Sequence, residues 1–407
     1  KKIDTTDKNV FSQELVSLSD MGYRAQEFQA ARIKLTIETH IEDVAWNLEA
    51  LDTIEKADKE EQEKSEENKE SIVRNNYIRQ ALLEENHYNF DHIFMLLSMN
   101  YDPEAIRLVK ENVESGLTDN ITFAIELLDV FMTEDLKPKL FPIIDDITQS
   151  ERTKRLDEYF PPQNFENQED LYLRIINRDY NRIDRWTKAV AIYNLGHLDG
   201  AVPGPALVAN LFNQDPLIRQ TAAWAIHELD KMTYQTNTRR LAPSVKKELD
   251  RVILPPTLIT QDQHRPMLQV ERIMLLSEIE IFSHIPRIVL AELSDYVEEV
   301  RYKEGTTIIS QGDSGDTPMY IVVSGKINVF DQDKLVGELG KKEMIGETHV
   351  LDSDTNTASF ITAEETAVFR LDKDKFYELI CKNQEMVDGL ITIMHKKFEE
   401  EPGPVVG

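Results

Sequence analysis

From Asp4 to about Glu271, apolar residues recur at three- and four-residue spacing, and turn pairs such as Asp102-Pro103 and Asp215-Pro216 punctuate the pattern. That period belongs to helices with one buried face, and nothing in this stretch alternates as a strand would. From Thr306 onward the pattern changes. β-branched and aromatic residues gather in short runs separated by Gly and Asp, which predicts a small antiparallel barrel or sandwich. Helical spacing returns over Lys373–Cys381 and Gln384–Lys397, and the tail from Pro402 to Gly407 is predicted to be extended or disordered.

Prolines at 243, 255, 256 and 266 interrupt the helical period and mark a junction. The expected division is a helical domain over 1–232, a linker or capping segment over 233–270, a mixed domain over 271–400 and a tail over 401–407. Within the first domain, Lys56 to Glu70 contains a single apolar residue, Ala57. Such a run buries too little to order itself, so an acidic loop or a frayed helix extension is expected at 56–70.

The helical domain repeats itself. Arg185, Thr187, Ala189, Ala191, Ile192 and Leu195 recur as Arg219, Thr221, Ala223, Ala225, Ile226 and Leu229, an offset of 34 residues from 185 to 219. Ala124, Ile125 and Leu128 echo Ala191, Ile192 and Leu195 at about twice that offset. Ala222, Ala225, Ile226 and Leu229 share one helix face, and small side chains there allow close stacking. Asp215 can cap the helix start, and Pro216 fits its first turn. The stretch from Asp215 to Ile226 resembles the inner helix of a HEAT repeat. A tetratricopeptide array has a similar period, but its Trp-Leu-Gly-Tyr spacing is missing; an irregular bundle with two similar helices is the remaining alternative.

Composition narrows the function classes. The 407 residues carry 74 acidic against 46 basic side chains, a formal charge of -28. Such a field repels phosphate backbones and anionic head groups, so nucleic acid is not an expected ligand, and basic protein partners are compatible with it. The single cysteine, Cys381, rules out an intramolecular disulfide and a cysteine-based zinc knuckle. The nine histidines form no close metal-ligand spacing, and no metal site is expected. No segment reaches the roughly 18 consecutive apolar residues of a membrane span. The sequence opens on Lys1 rather than Met, as a piece of a longer protein would.

The mixed domain carries a recognisable pattern. Glu304 to Asp313, then Met319 to Ile327, flanked by helical segments, resembles the cyclic-nucleotide-binding domain family, and the likeness runs from about Leu275 to Lys397. Leu275 to Phe282 looks like that family's helical lead-in. Gly305, Gly312 and Gly325 stand where tight turns often demand positive φ. The resemblance implies a phosphate-binding cassette, in which a helix N-terminus presents N–H groups to the cyclic phosphate, a Glu takes the ribose hydroxyl and an Arg neutralises the charge. The matching stretch is Gly346, Glu347 and Thr348, through Asn356, Thr357, Ala358 and Ser359.

Gly346 and Glu347 keep the Gly-Glu pair, but Asn356 stands where the family has its arginine. Asp352 and Asp354 make the surroundings negative. At about 5 Å and an effective dielectric of about 20, a charge pair is worth roughly 3 kcal/mol, so losing that arginine weakens binding by about two decades. His349, Lys341 and Lys342 are the nearby residues able to offer a substitute positive charge.

No phosphate loop, dinucleotide fingerprint, nucleophile elbow or kinase signature occurs. The expected architecture is therefore α+β and multidomain: an α-solenoid of HEAT-like repeats followed by a cyclic-nucleotide-binding-type β-roll with flanking helices. This domain order looks like the soluble C-terminal extension of bacterial ADP/ATP-carrier-like nucleotide transporters. The expected function is a non-catalytic regulatory or scaffolding module without cofactor. It would dock protein partners as the cytoplasmic part or accessory subunit of a membrane transporter or complex. The alternative is a genuine sensor, in which a cyclic nucleotide or another small anion enters the roll and shifts the helices.

Overall fold

A computed structural model of the chain describes residues 8–64, 69–253, 265–313, 317–345, 356–382 and 387. It divides into two compact units, residues 1–236 and 237–407.

The first unit is helical. It opens with α1 (Lys8–Asp20) and two long helices, α2 (Glu27–Lys64) and α3 (Lys69–Asn100). There follow α4 (Pro103–Glu114), α5 (Thr118–Phe131), α6 (Lys137–Ile144), α7 (Gln149–Leu156), α8 (Gln168–Asn177), α9 (Arg185–Gly196), α10 (Pro205–Ala209) and α11 (Pro216–Leu229). Helix α12 (Lys231–Thr238) crosses into the second unit.

Helices α2 and α3 lie antiparallel, because His40 meets Asn89, Asn47 meets Asn86 and Asp58 meets Asn75. Of the two expectations for the charged stretch, a loop or a helix extension, its described residues take the helical one, up to Lys64 and again from Lys69. Asp58 explains part of this: it is buried, accepts from Asn75 Nδ2 at 2.6 Å and pairs with Arg79, so the acidic run has tertiary anchors that composition does not show.

Helices α9 and α11 run parallel, side by side. Arg185 at the start of α9 pairs with Asp215 at the start of α11 (3.6 Å), Tyr193 stacks on Trp224 with centroids 4.7 Å apart, and Gly196 abuts Trp224 and Ala225. Asp215 caps α11 by accepting from the Leu217 N–H at 2.9 Å, with Pro216 in the first turn, as expected from sequence. Asp184 caps α9 through the Thr187 N–H at 2.8 Å.

The second unit begins with α13 (Pro243–Ile253), α14 (Gln269–Ser277), a 3-10 turn at Glu280–Phe282 and α15 (Arg287–Ser294). Eight strands follow: β1 (Val297–Tyr302), β2 (Thr307–Ile309), β3 (Met319–Ser324), β4 (Ile327–Asp331), β5 (Lys334–Leu339), β6 (Met344–Ile345), β7 (Ser359–Thr362) and β8 (Thr366–Leu371), then α16 (Lys373–Lys382). They form two antiparallel sheets, ordered β1-β8-β3-β6 and β2-β7-β4-β5. Strand β3 is central and reads as a nearly continuous apolar run, whereas β5 lies at an edge and is exposed. Ile309, Tyr320, Val322, Ile327, Ile345 and Val368 fill the roll, with Val300, Tyr302 and Phe360 against them. Gly305, Gly312 and Gly325 all adopt positive φ (+73°, +84° and +87°), matching the turn chemistry expected of them.

Candidate functional site

The candidate site is one rim of the roll, where the turn after β2 meets the segment leading into β7. Gly312 reverses the chain at φ +84°, which only a residue without Cβ adopts freely. Its N–H then donates to the Asn356 carbonyl at 2.9 Å, and the Asp313 carbonyl turns back towards Asn356. That carbonyl accepts from the Asn356 backbone N–H at 3.2 Å and from its side-chain Nδ2 at 3.0 Å. Asn356 is buried, and its amide is thus used as a clamp between two segments of its own domain.

Gln311 completes the clamp. Its backbone N–H donates to Ser359 Oγ at 2.8 Å, and its Nε2 donates to the Thr357 carbonyl and to Asp331 Oδ1, each at 2.9 Å. Its Oε1 accepts the Gln332 N–H at 2.6 Å. The structure therefore brings Asn356, Thr357 and Ser359 together on the Gln311–Asp313 turn, with Ala358 half-buried between them. Gly346, Glu347 and Thr348 lie outside the described residues, as do His349, Asp352 and Asp354.

No lysine or arginine bonds to Asn356, Thr357, Ala358 or Ser359 among the described residues. Of the substitute cations suggested by sequence, Lys342 is engaged elsewhere: its Nζ pairs with Glu278 at 2.9 Å. Lys341 is exposed on the turn before β6.

A second cluster, in the helical unit, was not singled out from sequence. Glu85 on α3 is fully buried. It pairs with the Lys8 ammonium, accepts the Asp184 N–H at 2.7 Å and accepts the Thr187 hydroxyl at 3.0 Å. Nearby, Asp43 on α2 receives Arg178 at 2.5 Å and Arg182 at 3.1 Å, and Arg178 lies over the Trp46 ring at 4.1 Å. His40 Nδ1 sits 3.0 Å from Asn89 Oδ1, and His92 Nε2 sits 2.9 Å from Ser12 Oγ.

Burial shapes these groups. It pushes the Asp43 carboxyl up to about 6 against the pull of Arg178 and Arg182. Burial and the neighbouring Glu85 carboxylate raise Asp184. Burial takes His40 down to about 4 and, with His40 beside it, His92 down to about 2. A trace of this cluster does exist in the sequence: Glu85, Asn89 and His92 occupy i, i+4 and i+7 on the same face of α3 as buried Ile78, Leu82 and Leu96. Polar residues at core spacing signal a buried network. These groups are sealed, with Lys8 6% exposed, Glu85 0%, His92 2% and Asp184 8%, so they hold helices together instead of facing a substrate.

Among the described residues no group of three or more His, Cys, Asp or Glu is placed to hold a metal ion, and no helix is long and apolar enough to cross a membrane.

Comparison with known proteins identifies part of the second unit. Residues 299–383 match the family model of the cyclic nucleotide-binding domain. A Drosophila melanogaster cGMP-dependent protein kinase, isozyme 2, is 30% identical over 144 residues, covering 33% of this chain and 15% of the kinase. A CRP-like cAMP-activated global transcriptional regulator of Mycobacterium tuberculosis is 24% identical over 129 residues, covering 30% of this chain and 57% of the regulator. Among solved structures, the catabolite activator protein of Thermus thermophilus aligns at 25% identity and a TM-score of 0.27, covering 30% of this chain and 59% of that one. The chain thus contains a C-terminal cyclic nucleotide-binding domain and spans less than two thirds of the length of these relatives.

Proposed function

We propose that this chain is a non-catalytic regulatory module. In this reading its roll has lost ordinary cyclic-nucleotide affinity and serves, beside a HEAT-like helical array, to dock protein partners. The observation that carries it is the use of Asn356. An arginine at this position would offer an anion both positive charge and several donors, whereas this neutral amide carries no charge and has an N–H committed to the Asp313 carbonyl. The parallel packing of α9 against α11 supports the HEAT-like reading, since equivalent helices of stacked repeats run parallel. Sealed titratable groups and the lack of catalytic motifs support the non-enzymatic one. The domain order points to the cytoplasmic side of a membrane transporter or complex as the place of work.

Isothermal calorimetry with cyclic AMP and cyclic GMP tests the reading. The expected result is no saturable binding up to about 1 mM for the wild type, and a gain of about two decades for Asn356→Arg. Saturable micromolar binding by the wild type that disappears in Glu347→Ala overturns it. That outcome establishes the sensor instead, a reading favoured by the cyclic-nucleotide names that the kinase and the transcriptional regulator carry.

A further inference from the structure

The helical unit offers a surface whose shape and charge specify a partner. Helix α5 buries Ile121, Ala124 and Leu128 on one side. On the adjoining side Phe123 and Val130 are 48% and 83% exposed, and Leu127 is half-buried between them. Positions 123, 127 and 130 are i, i+4 and i+7, so they form one continuous stripe of roughly 10 Å along the helix. Isolated exposed apolar residues need no explanation, but two exposed ones joined by the half-buried Leu127 in one line along a helix make a contact strip.

The flank of the stripe is acidic. At 100° per residue, Asp119 and Glu126 fall next to Phe123 and Val130 on the solvent side, and both are exposed. Between Asp102 and Asp135 there are nine acidic side chains and two basic ones. The basic groups are spent locally: Arg107 pairs with Glu104 and Glu111, and Lys110 with Asp91 and Glu114. Lys137, from α6, pairs with Asp129 and Glu134. Asp119 and Glu126 have no ion-pair partner among the described residues. The stripe therefore joins an apolar strip to uncompensated negative charge, and the formal charge of -28 disfavours a second copy of this chain as the occupant.

The geometry points to α5 as the docking face for a basic amphipathic helix of a partner protein, its apolar residues laid on Phe123, Leu127 and Val130 and its lysines or arginines meeting Asp119 and Glu126. This inference deepens the docking reading above and rests on it.

The test uses the full chain and two labelled 18-residue synthetic helices. Both carry Leu at i, i+4 and i+7; one is flanked by Lys and Arg, the other by Glu. Fluorescence anisotropy is expected to show saturable binding of the basic helix, weakened at least tenfold by Phe123→Ser with Val130→Ser. Asp119→Lys with Glu126→Lys is expected to weaken the basic helix and strengthen the acidic one. Both pairs of positions are at the surface, and circular dichroism verifies that the variants fold. Binding unchanged by either pair of substitutions, or no saturable binding, overturns the assignment to α5. So does concentration-dependent dimerisation abolished by Val130→Ser, which makes the stripe a self-contact. None of these results depends on whether the roll binds a nucleotide, so this inference and the reading of Asn356 fail separately.

Discussion

The imidazole rings of His40 on α2 and His92 on α3 stand 5.0 Å apart, edge against face, with Phe11 of α1 within 5.6 Å of both. Two protonated rings at this distance, in a dry interior near the Lys8 ammonium, would repel each other and it. The neutral state is therefore part of the fold, and α1 is held down by groups that tolerate no extra positive charge.

Acid sensitivity follows from that pair. Both histidines have folded pKa values below the ordinary 6.5, His40 at about 4 and His92 at about 2, so their contribution is present above pH 6.5 and is lost as pH falls below it. Between pH 6.5 and 4.5 each removes about 2 to 3 kcal/mol. Asp43, raised to about 6, works the opposite way: its protonation in the folded state favours folding as pH falls through 6. Urea denaturation across this range is expected to show a flatter profile for His40→Gln with His92→Gln than for the wild type, by about 3 kcal/mol or more. Parallel profiles would show that the histidines do not carry the effect.

Lys8 answers Glu85 in the core of the helical unit. Lys8→Met leaves a buried carboxylate beside Asp184 without its ammonium and is expected to cost about 3 to 5 kcal/mol. Adding Glu85→Gln removes the stranded charge and restores most of that loss. If the double variant is no more stable than the single one in chemical denaturation, the charge is not the cause.

Close approach of α9 and α11 depends on Gly196. A Cβ built there would stand 2.7 Å from Trp224 Cζ3 and 2.9 Å from Ala225 Cβ. Gly196→Ala is expected to destabilise by about 1 to 3 kcal/mol through overpacking, despite its helical propensity gain. A thermal shift upward would contradict this packing.

Two turn glycines of the roll separate backbone strain from collision. Gly305 and Gly325 both have positive φ, but a Cβ at Gly305 meets nothing within 4 Å, whereas one at Gly325 would lie 2.6 Å from the Glu365 carbonyl oxygen. Gly305→Ala is expected to cost about 1 to 2 kcal/mol, the left-handed conformation alone. Gly325→Ala adds a backbone clash of about 1 to 3 kcal/mol. Equal midpoints in denaturant for the two variants would refute the distinction.

Periodicity and turn chemistry, both local, already determined much in the sequence itself: a helical first unit, short strands from Thr306 onward though not β1 at Val297–Tyr302, the cap at Asp215, and the positive-φ turns at 305, 312 and 325. Each depends on a residue and its near neighbours in the chain. What only the tertiary structure decided is which distant groups satisfy one another. Lys8 reaches Glu85 across 77 positions, and Asp184 reaches it across 99. Asn356 meets Asp313 across 43 positions and so clamps two distant segments of its own domain. The acidic run to Lys64 is helical alongside the anchor at Asp58. The physical reason is that hydrophobic spacing reports that a side chain is buried, while the partner that makes burial of a polar or charged group tolerable is chosen by packing.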